Sequence, residues 1–370
     1  MSTVFVERFE VGGDGPRIGI KDCIDIAGRV TGVGSRAFAG QPPAAHHATV
    51  VQRLLQQGWH IVGKLTMHEL AFGMSGINDW SGTPLNPQDP ALIPGGSSSG
   101  AAAAVGAGLM DAALGTDTGG SIRLPAACCG VFGFKPTYGR VSRTGLLPAA
   151  SSLDCVGPLA RDMHTLTRVM ETIDPGFRRV SVPGKGHVGL VTTASAPAIV
   201  EAVHDALLRA GWRVDAVELP SMAMAFKAAM DIISAETWAA FGHLTGRGQL
   251  GDDVEARLAQ ARGVSAEAVA QAEDVRRAFM EEVESAVRAF DALVLPALPR
   301  LPPSLASVRA GEPILDLSAW VRPFNLSGHP ALSVPVPLRD GGLKVGLQIV
   351  GALGGDARVC ALGSALARHL

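Results

Sequence analysis

Apolar residues recur along the chain with two alternating periods, and that alternation predicts strands interleaved with helices. Ala48, Val51, Leu54 and Leu55 return at helical spacing, Gly58 supplies a stop, and Trp59-His60-Ile61-Val62 then reads as a short buried strand. Residues Ala101 to Met110 are small and apolar nearly all round, the pattern of a helix buried at the centre of a fold. Past a loop signal at Pro183-Gly184-Lys185-Gly186, Val188-Gly189-Leu190-Val191 reads as a strand. A helix follows from about Ser195, with Ile199, Val203, Ala206 and Leu207 on one face and Gly211 beyond its end. Residues 221–290 are helical in pattern almost throughout and hold the most charge. Asp291-Ala292-Leu293-Val294-Leu295-Pro296 and Lys344 to Val350 then return to strands. The chain therefore reads as α/β. It forms a single unit over 1–370, with no repeat and no linker long enough to divide it.

Three stretches interrupt this pattern. They are Ile18-Gly19-Ile20-Lys21-Asp22, Gly95-Gly96-Ser97-Ser98-Ser99-Gly100 and Gly115-Thr116-Asp117-Thr118-Gly119-Gly120-Ser121-Ile122-Arg123. Glycine and serine set among apolar residues suit a site whose backbone N–H groups must point at a reacting oxygen. A serine hydroxyl becomes a nucleophile only with a base in hydrogen-bond reach. A lysine, ordinarily titrating near ~10.4, must come down by roughly 3 pH units, about 4 kcal/mol, to serve as that base at neutral pH. Burial does this, and Ile18, Ile20, Ile24 and Ile26 give Lys21 apolar neighbours. Strand alternation turns Asp22 to the opposite face from Lys21. Lys64, in Val62-Gly63-Lys64-Leu65-Thr66, is a second candidate base, and His68 reads as structural. Gly96-Ser97-Ser98-Ser99-Gly100 also fits the G-x-S-x-G elbow. That elbow needs an apolar strand just before it, where this chain has Pro87-Gln88-Asp89-Pro90 and Pro94.

At these positions the chain resembles the amidase signature family, which hydrolyses carboxamides with a Ser–Ser–Lys triad. Val30-Thr31-Gly32, Gly82-Thr83-Pro84-Leu85-Asn86-Pro87 and Gly130-Val131-Phe132-Gly133-Phe134-Lys135-Pro136 add to the likeness. It is densest over the core motifs at 18–160 and looks most like the short branch that includes plant indole-3-acetamide hydrolases. The resemblance implies a large mixed central sheet covered by helices on both faces. It implies Ser121 as nucleophile, Ser97 as bridging serine on a cis peptide and Lys21 as base. The backbone N–H groups of Thr118, Gly119, Gly120 and Ser121 are the implied oxyanion hole. Ser98 is implied as a supporting serine bonded within its loop, while Asp117 and Arg123 read as a buried ion pair holding the nucleophile's turn. The activity implied is hydrolysis of a small, uncharged or weakly polar primary carboxamide to carboxylate and ammonia through an acyl-enzyme. Two rival readings are the ammonia-generating subunit of a tRNA-dependent amidotransferase and a non-catalytic binding protein on the same fold. The substrate wall is expected from the variable helical region at about 221–290 and from 300–325. One departure is the loop's three serines, where many members have two serines and two glycines.

Charge changes the expected partners. Basic and acidic residues nearly cancel, 32 against 34, and no basic stripe is present, so nucleic acid is not expected. Met1 to Glu10 lack an apolar run, and Ala101 to Leu114 is interrupted by Asp111 and too short to span a bilayer, so no membrane is expected either. Five cysteines without Cys-x-x-Cys spacing read as buried thiols in a reducing cytoplasm. The expected partner is thus a small-molecule amide, with a homodimer as candidate assembly and no metal or organic cofactor.

Overall fold

Alternation along the strands decides the layering of this molecule, a computed structural model that describes residues 3–182 and 185–370. Pro183-Gly184 of the predicted loop lie outside the described residues. In the strand Ala292–Pro296, Ala292 and Val294 enter one hydrophobic core while Leu293 and Leu295 enter another. In Ala112–Asp117, Ala112 and Leu114 join the first core and Ala113 lies opposite. Both faces of the sheet are therefore covered, and the strands read as nearly continuous apolar runs. The helices Thr49–Gln56, Met163–Ile173, Pro197–Arg209 and Asp356–Ala367 pack their buried residues into the first core. Ser99–Gly106, Met222–Phe241 and Ala266–Val287 close the other face.

The strands are β1 (Phe5–Gly12), β2 (Arg17–Lys21), β3 (His60–Leu65), β4 (Ala112–Asp117), β5 (Phe132–Lys135) and β6 (Cys155–Ala160), then β7 (His187–Val191), β8 (Arg213–Val217), β9 (Ala292–Pro296), β10 (Ala331–Pro337) and β11 (Lys344–Val350). They form one mixed sheet in the order β1-β3-β2-β4-β6-β5-β10-β11-β9-β7-β8. β2 runs parallel to both β3 and β4, so the two strands flanking it share its direction. Lys21 at the end of β2 and Asp117 at the end of β4 therefore emerge at the same edge of the sheet. The β4–β6–β5–β10–β11–β9 segment is antiparallel, and β7 pairs in parallel with β8 and β9.

Six strands, β1, β4, β5, β6, β8 and β10, lie where the sequence reading places none, and for β1 and β10 the local reason is plain. β1 is an edge strand carrying Glu7, Arg8 and Glu10, charges that guard an unpaired edge and mask its alternation. β10 contains Pro335 and Pro337, residues that ordinarily exclude an interior strand. It pairs with β11 along its whole length but with β5 only over Ala331–Ser333, so the prolines lie past the stretch flanked on both sides. The helix predicted over Ala101 to Met110 instead spans Ser99–Gly106, starting inside the serine loop. All five cysteines are buried free thiols. Among the described residues, no helix is long and apolar enough to cross a membrane.

Candidate active site

Lys21 is fully buried, and its ammonium has no acidic partner within ion-pair distance among the described residues. Its Nζ donates to Ser97 Oγ at 2.7 Å and to Thr116 Oγ1 at 2.8 Å. Burial pushes the pKa of Lys21 down, against weaker upward pulls from Cys23, Asp154 and Asp117. Asp22 faces away, as strand alternation predicts. It accepts from the Gly34 N–H at 3.1 Å and lies 3.2 Å from Lys64 Nζ. Lys64 is further held by the Val30 carbonyl at 2.8 Å and Thr31 Oγ1 at 3.1 Å, so the second candidate base is occupied by structure. Thr116 was not singled out from the sequence. Its signal was its place in the Gly115-Thr116-Asp117 motif, one strand over from Lys21.

The peptide bond Gly96–Ser97 is cis. The Ser97 carbonyl accepts from the His68 N–H at 3.0 Å, and the Ser98 N–H donates to the Ser121 carbonyl at 3.2 Å, which ties the serine loop to the turn that carries Ser121. Ser98 does not bond within its own loop as expected. Its Oγ donates to the Thr116 carbonyl at 3.2 Å and so fastens the loop to β4.

Asp117 organises the turn that follows β4. Its carboxylate accepts from the N–H groups of Gly120 at 2.8 Å, Ile122 at 3.2 Å and Arg123 at 3.3 Å. It also takes a two-pronged bond from Arg123 Nε and Nη2, both at 3.0 Å, and one from Asn325 Nδ2 at 2.8 Å. Burial works to raise the Asp117 pKa, yet the Arg123 guanidinium and Asn325 hold it well below the usual carboxylate range. The remaining Arg123 donors reach the Val321 carbonyl, Gln348 Oε1 and Asn325 Oδ1 at 2.8, 2.6 and 2.7 Å. Every charge in this network is compensated, which is the condition for keeping a buried pair. Asp117→Ala leaves Arg123 buried without its counter-ion and is expected to cost about 3–5 kcal/mol of stability. Urea denaturation checks this; an unchanged midpoint would remove the ion pair from the scaffold of the turn.

The turn delivers Ser121 to the floor of a cleft of about 930 Å³, beside Thr118 and Gly119. Gly120 sits at φ +109°, and a Cβ there would meet Val321 Cγ2 at 2.3 Å, so only glycine fits. Of the four amides expected to form an oxyanion hole, that of Gly120 is already committed to Asp117 Oδ1. The N–H groups of Thr118, Gly119 and Ser121 have no acceptor among the described residues. The cleft is lined by Met230, Ile233, Asp253 and Arg257, by residues between Val308 and Leu315 with Arg322, and by Arg36 and a stretch between Glu69 and Trp80 that lies outside the two regions named from the sequence.

The sequence pattern of the Amidase family matches residues 15–360. The chain is 37% identical to a glutamyl-tRNA(Gln) amidotransferase subunit of Deinococcus radiodurans, over 95% of this chain and 83% of that protein. Among solved structures, a chain from an inhibitor-bound vestigial protein complex that bears on the evolutionary origins of an s-triazine catabolic enzyme superposes with a TM-score of 0.88. It is 28% identical and covers 97% of this chain and 85% of its own. A crystal structure of an amidase superposes at 0.86, with 31% identity over 96% of this chain and 84% of its own. These likenesses overturn the partner expectation drawn from charge, a small-molecule amide alone, without nucleic acid and with a homodimer as the assembly. The bacterial relative is by name one subunit of a glutamyl-tRNA(Gln) amidotransferase, and the first of the structural neighbours comes from a protein complex. Net charge and the absence of a basic stripe describe one chain's own field, and a subunit can leave the polyanion to its partners. With the 11-stranded mixed sheet in place, the match to the family over residues 15–360 makes the conclusion plain: this chain is an amidase signature enzyme, a hydrolase of amide C–N bonds.

Proposed function

We propose that this chain cleaves a primary carboxamide to a carboxylate and ammonia, and that it does so as the ammonia-supplying subunit of an amidotransferase-type assembly. The observation that carries the chemistry is the 2.7 Å bond from a buried lysine without a counter-ion to Ser97. Neutral Lys21 accepts the Ser97 proton as Ser97 accepts that of Ser121, and Ser121 Oγ attacks the amide carbon. The N–H groups of Thr118, Gly119 and Ser121 stabilise the oxyanion, each donor being worth about 3 kcal/mol. Collapse breaks the C–N bond, and the proton held on Lys21 returns through Ser97 to the departing nitrogen, which leaves as ammonia. Water then attacks the ester, passes its proton along the same route, and frees the carboxylate and Ser121. Asp117 and Arg123 hold the turn without touching the reacting atoms. Buried thiols suit a reducing cytoplasm.

The subunit reading rests on the identity to the Deinococcus amidotransferase chain over most of both proteins. Its test is replacement of the homologous resident chain by this one in a reconstituted amidotransferase, reading amidated tRNA formed with glutamine as donor. Restored amidation supports the proposal. No amidation, together with brisk Ser121-dependent ammonia release from a panel of amides by the chain alone, overturns the subunit reading in favour of a free-standing amidase. Absence of both, with no labelling of Ser121 by a fluorophosphonate, overturns the catalytic reading itself.

A further inference from the structure

Among the described residues, Arg322 is a buried cation without a counter-ion, placed at the cleft beside the nucleophile's turn. It is only 6% exposed yet lines the same cleft as Ser121 and Gly119. A Cβ built on Gly119 would lie 3.1 Å from Arg322 Nε, so the guanidinium stem rests directly against the amides that face the reacting carbonyl. Its Nη atoms contact only the thioether sulfurs of Met230 and, at 3.3 Å, Met74, both weak acceptors. The Phe226 ring lies 4.8 Å from the guanidinium carbon, and Nε has no partner among the described residues. No described carboxylate lies within ion-pair distance of it. The other arginines lining the cleft are different: Arg257 reaches Asp253 at 3.4 Å and the Phe72 carbonyl, Arg309 reaches Asp79, and Arg36 is exposed and donates to the Gly248 carbonyl. Burial, and then repulsion from Arg257, lower the Arg322 pKa to about 9, so it is still cationic at neutral pH.

An unpaired buried charge costs several kcal/mol, and folded proteins rarely leave one uncompensated. Arg123, one turn away in the same network of loops, shows how fully this fold satisfies a guanidinium when its role is structural. We infer that Arg322 is the binding group for a carboxylate carried by the substrate, and that the enzyme acts on amides whose acyl portion ends in an acid. This replaces the uncharged or weakly polar amide expected from the motifs. The inference rests on the primary-carboxamide reading, in which ammonia is the leaving group and any carboxylate must belong to the acyl side. The closeness of Arg322 to Gly119 calls for a short spacer between acid and amide. Met74, Met230, Ile233 and Phe226 supply an apolar lining for that spacer and exclude water from the ion pair.

Calorimetric binding tests this apart from turnover. Malonamate, succinamate and glutaramate, with neutral succinamide as control, are titrated into the full chain bearing Ser121→Ala, alone and combined with Arg322→Met or Arg322→Lys. One amide acid is expected to bind at least tenfold tighter than succinamide. Arg322→Met is expected to erase that ratio, and Arg322→Lys to restore part of it. Equal binding of acid and neutral amide, no binding by any acid, or an unchanged ratio in Arg322→Met overturns the inference. If Arg322→Met fails to fold, the Lys variant decides: a planar fork replaced by a point charge must still lower the ratio. Ammonia release and fluorophosphonate labelling of otherwise unaltered protein report separately on the catalytic reading, so either proposal can fail without the other.

Discussion

Ser121→Ala is expected to lower ammonia release from the preferred amide by roughly 10⁴- to 10⁶-fold, the scale seen when a member of a catalytic triad is deleted. The residue that remains makes the same backbone contacts. Its carbonyl still accepts from Ser98, and no other side chain depends on its hydroxyl among the described residues. Stability should therefore stay within about 0.5 kcal/mol of the parent. Loss of fluorophosphonate labelling with an unchanged unfolding curve is the full expected result. Retained turnover in a well-folded variant would move the nucleophile elsewhere, and Ser97, already bonded to Lys21, is the next residue to test.

Lys21→Met should cost comparable activity, about 10³-fold or more, because it removes the proposed base for both half-reactions. Lys64 cannot step in, since Asp22, Thr31 and the Val30 carbonyl hold it. Stability should move the other way from activity. Burial lowers the pKa of Lys21 in the folded chain below its unfolded value near ~10.4. Between those two values the unfolded chain binds a proton that the folded chain does not, so stability of the parent rises with pH across that window. Methionine removes this dependence, and the variant is expected to be at least as stable near pH 7 and flatter above it. The kcat/KM of the parent should climb with pH as Lys21 loses its proton, then level off. A methionine variant that is both active and less stable would show that Lys21 serves packing rather than proton transfer.

Much of this was legible because local pattern and tertiary placement agreed. The end of β2 could be read from Ile18 and Ile20 alternating with Gly19 and Lys21, and the structure turns Lys21 and Asp22 to opposite partners as that period requires. The strand at 292–296 and the last strand at 344–350 were plain for the same reason. β10 was hidden because proline's penalty depends on whether a second neighbour lies alongside, which only the sheet order reveals. Within the site, the glycine-rich turn raised the expectation of an oxyanion hole, but which amides are left without an acceptor depends on where the Asp117 carboxylate folds back, and it takes that of Gly120. Arg322 escaped notice because Val321-Arg322-Pro323 carries no motif. An arginine's lack of a partner is visible only once its surroundings are assembled. Partner choice was least legible, since a balanced composition describes the chain and not the company it keeps.

The network around Arg123 also sets a timetable for biosynthesis. Its acceptors at Val321, Asn325 and Gln348 lie 198, 202 and 225 residues further along the chain. A ribosome releases the serine loop and the turn at Ser121 well before β11, when β2, β3, β4 and β6 can already pair. The turn cannot take its final form until β11 has emerged and delivered Gln348. The turn that carries Ser121 is thus synthesised 225 residues before the last anchor of Arg123, and its final form is expected only after β11 has left the ribosome.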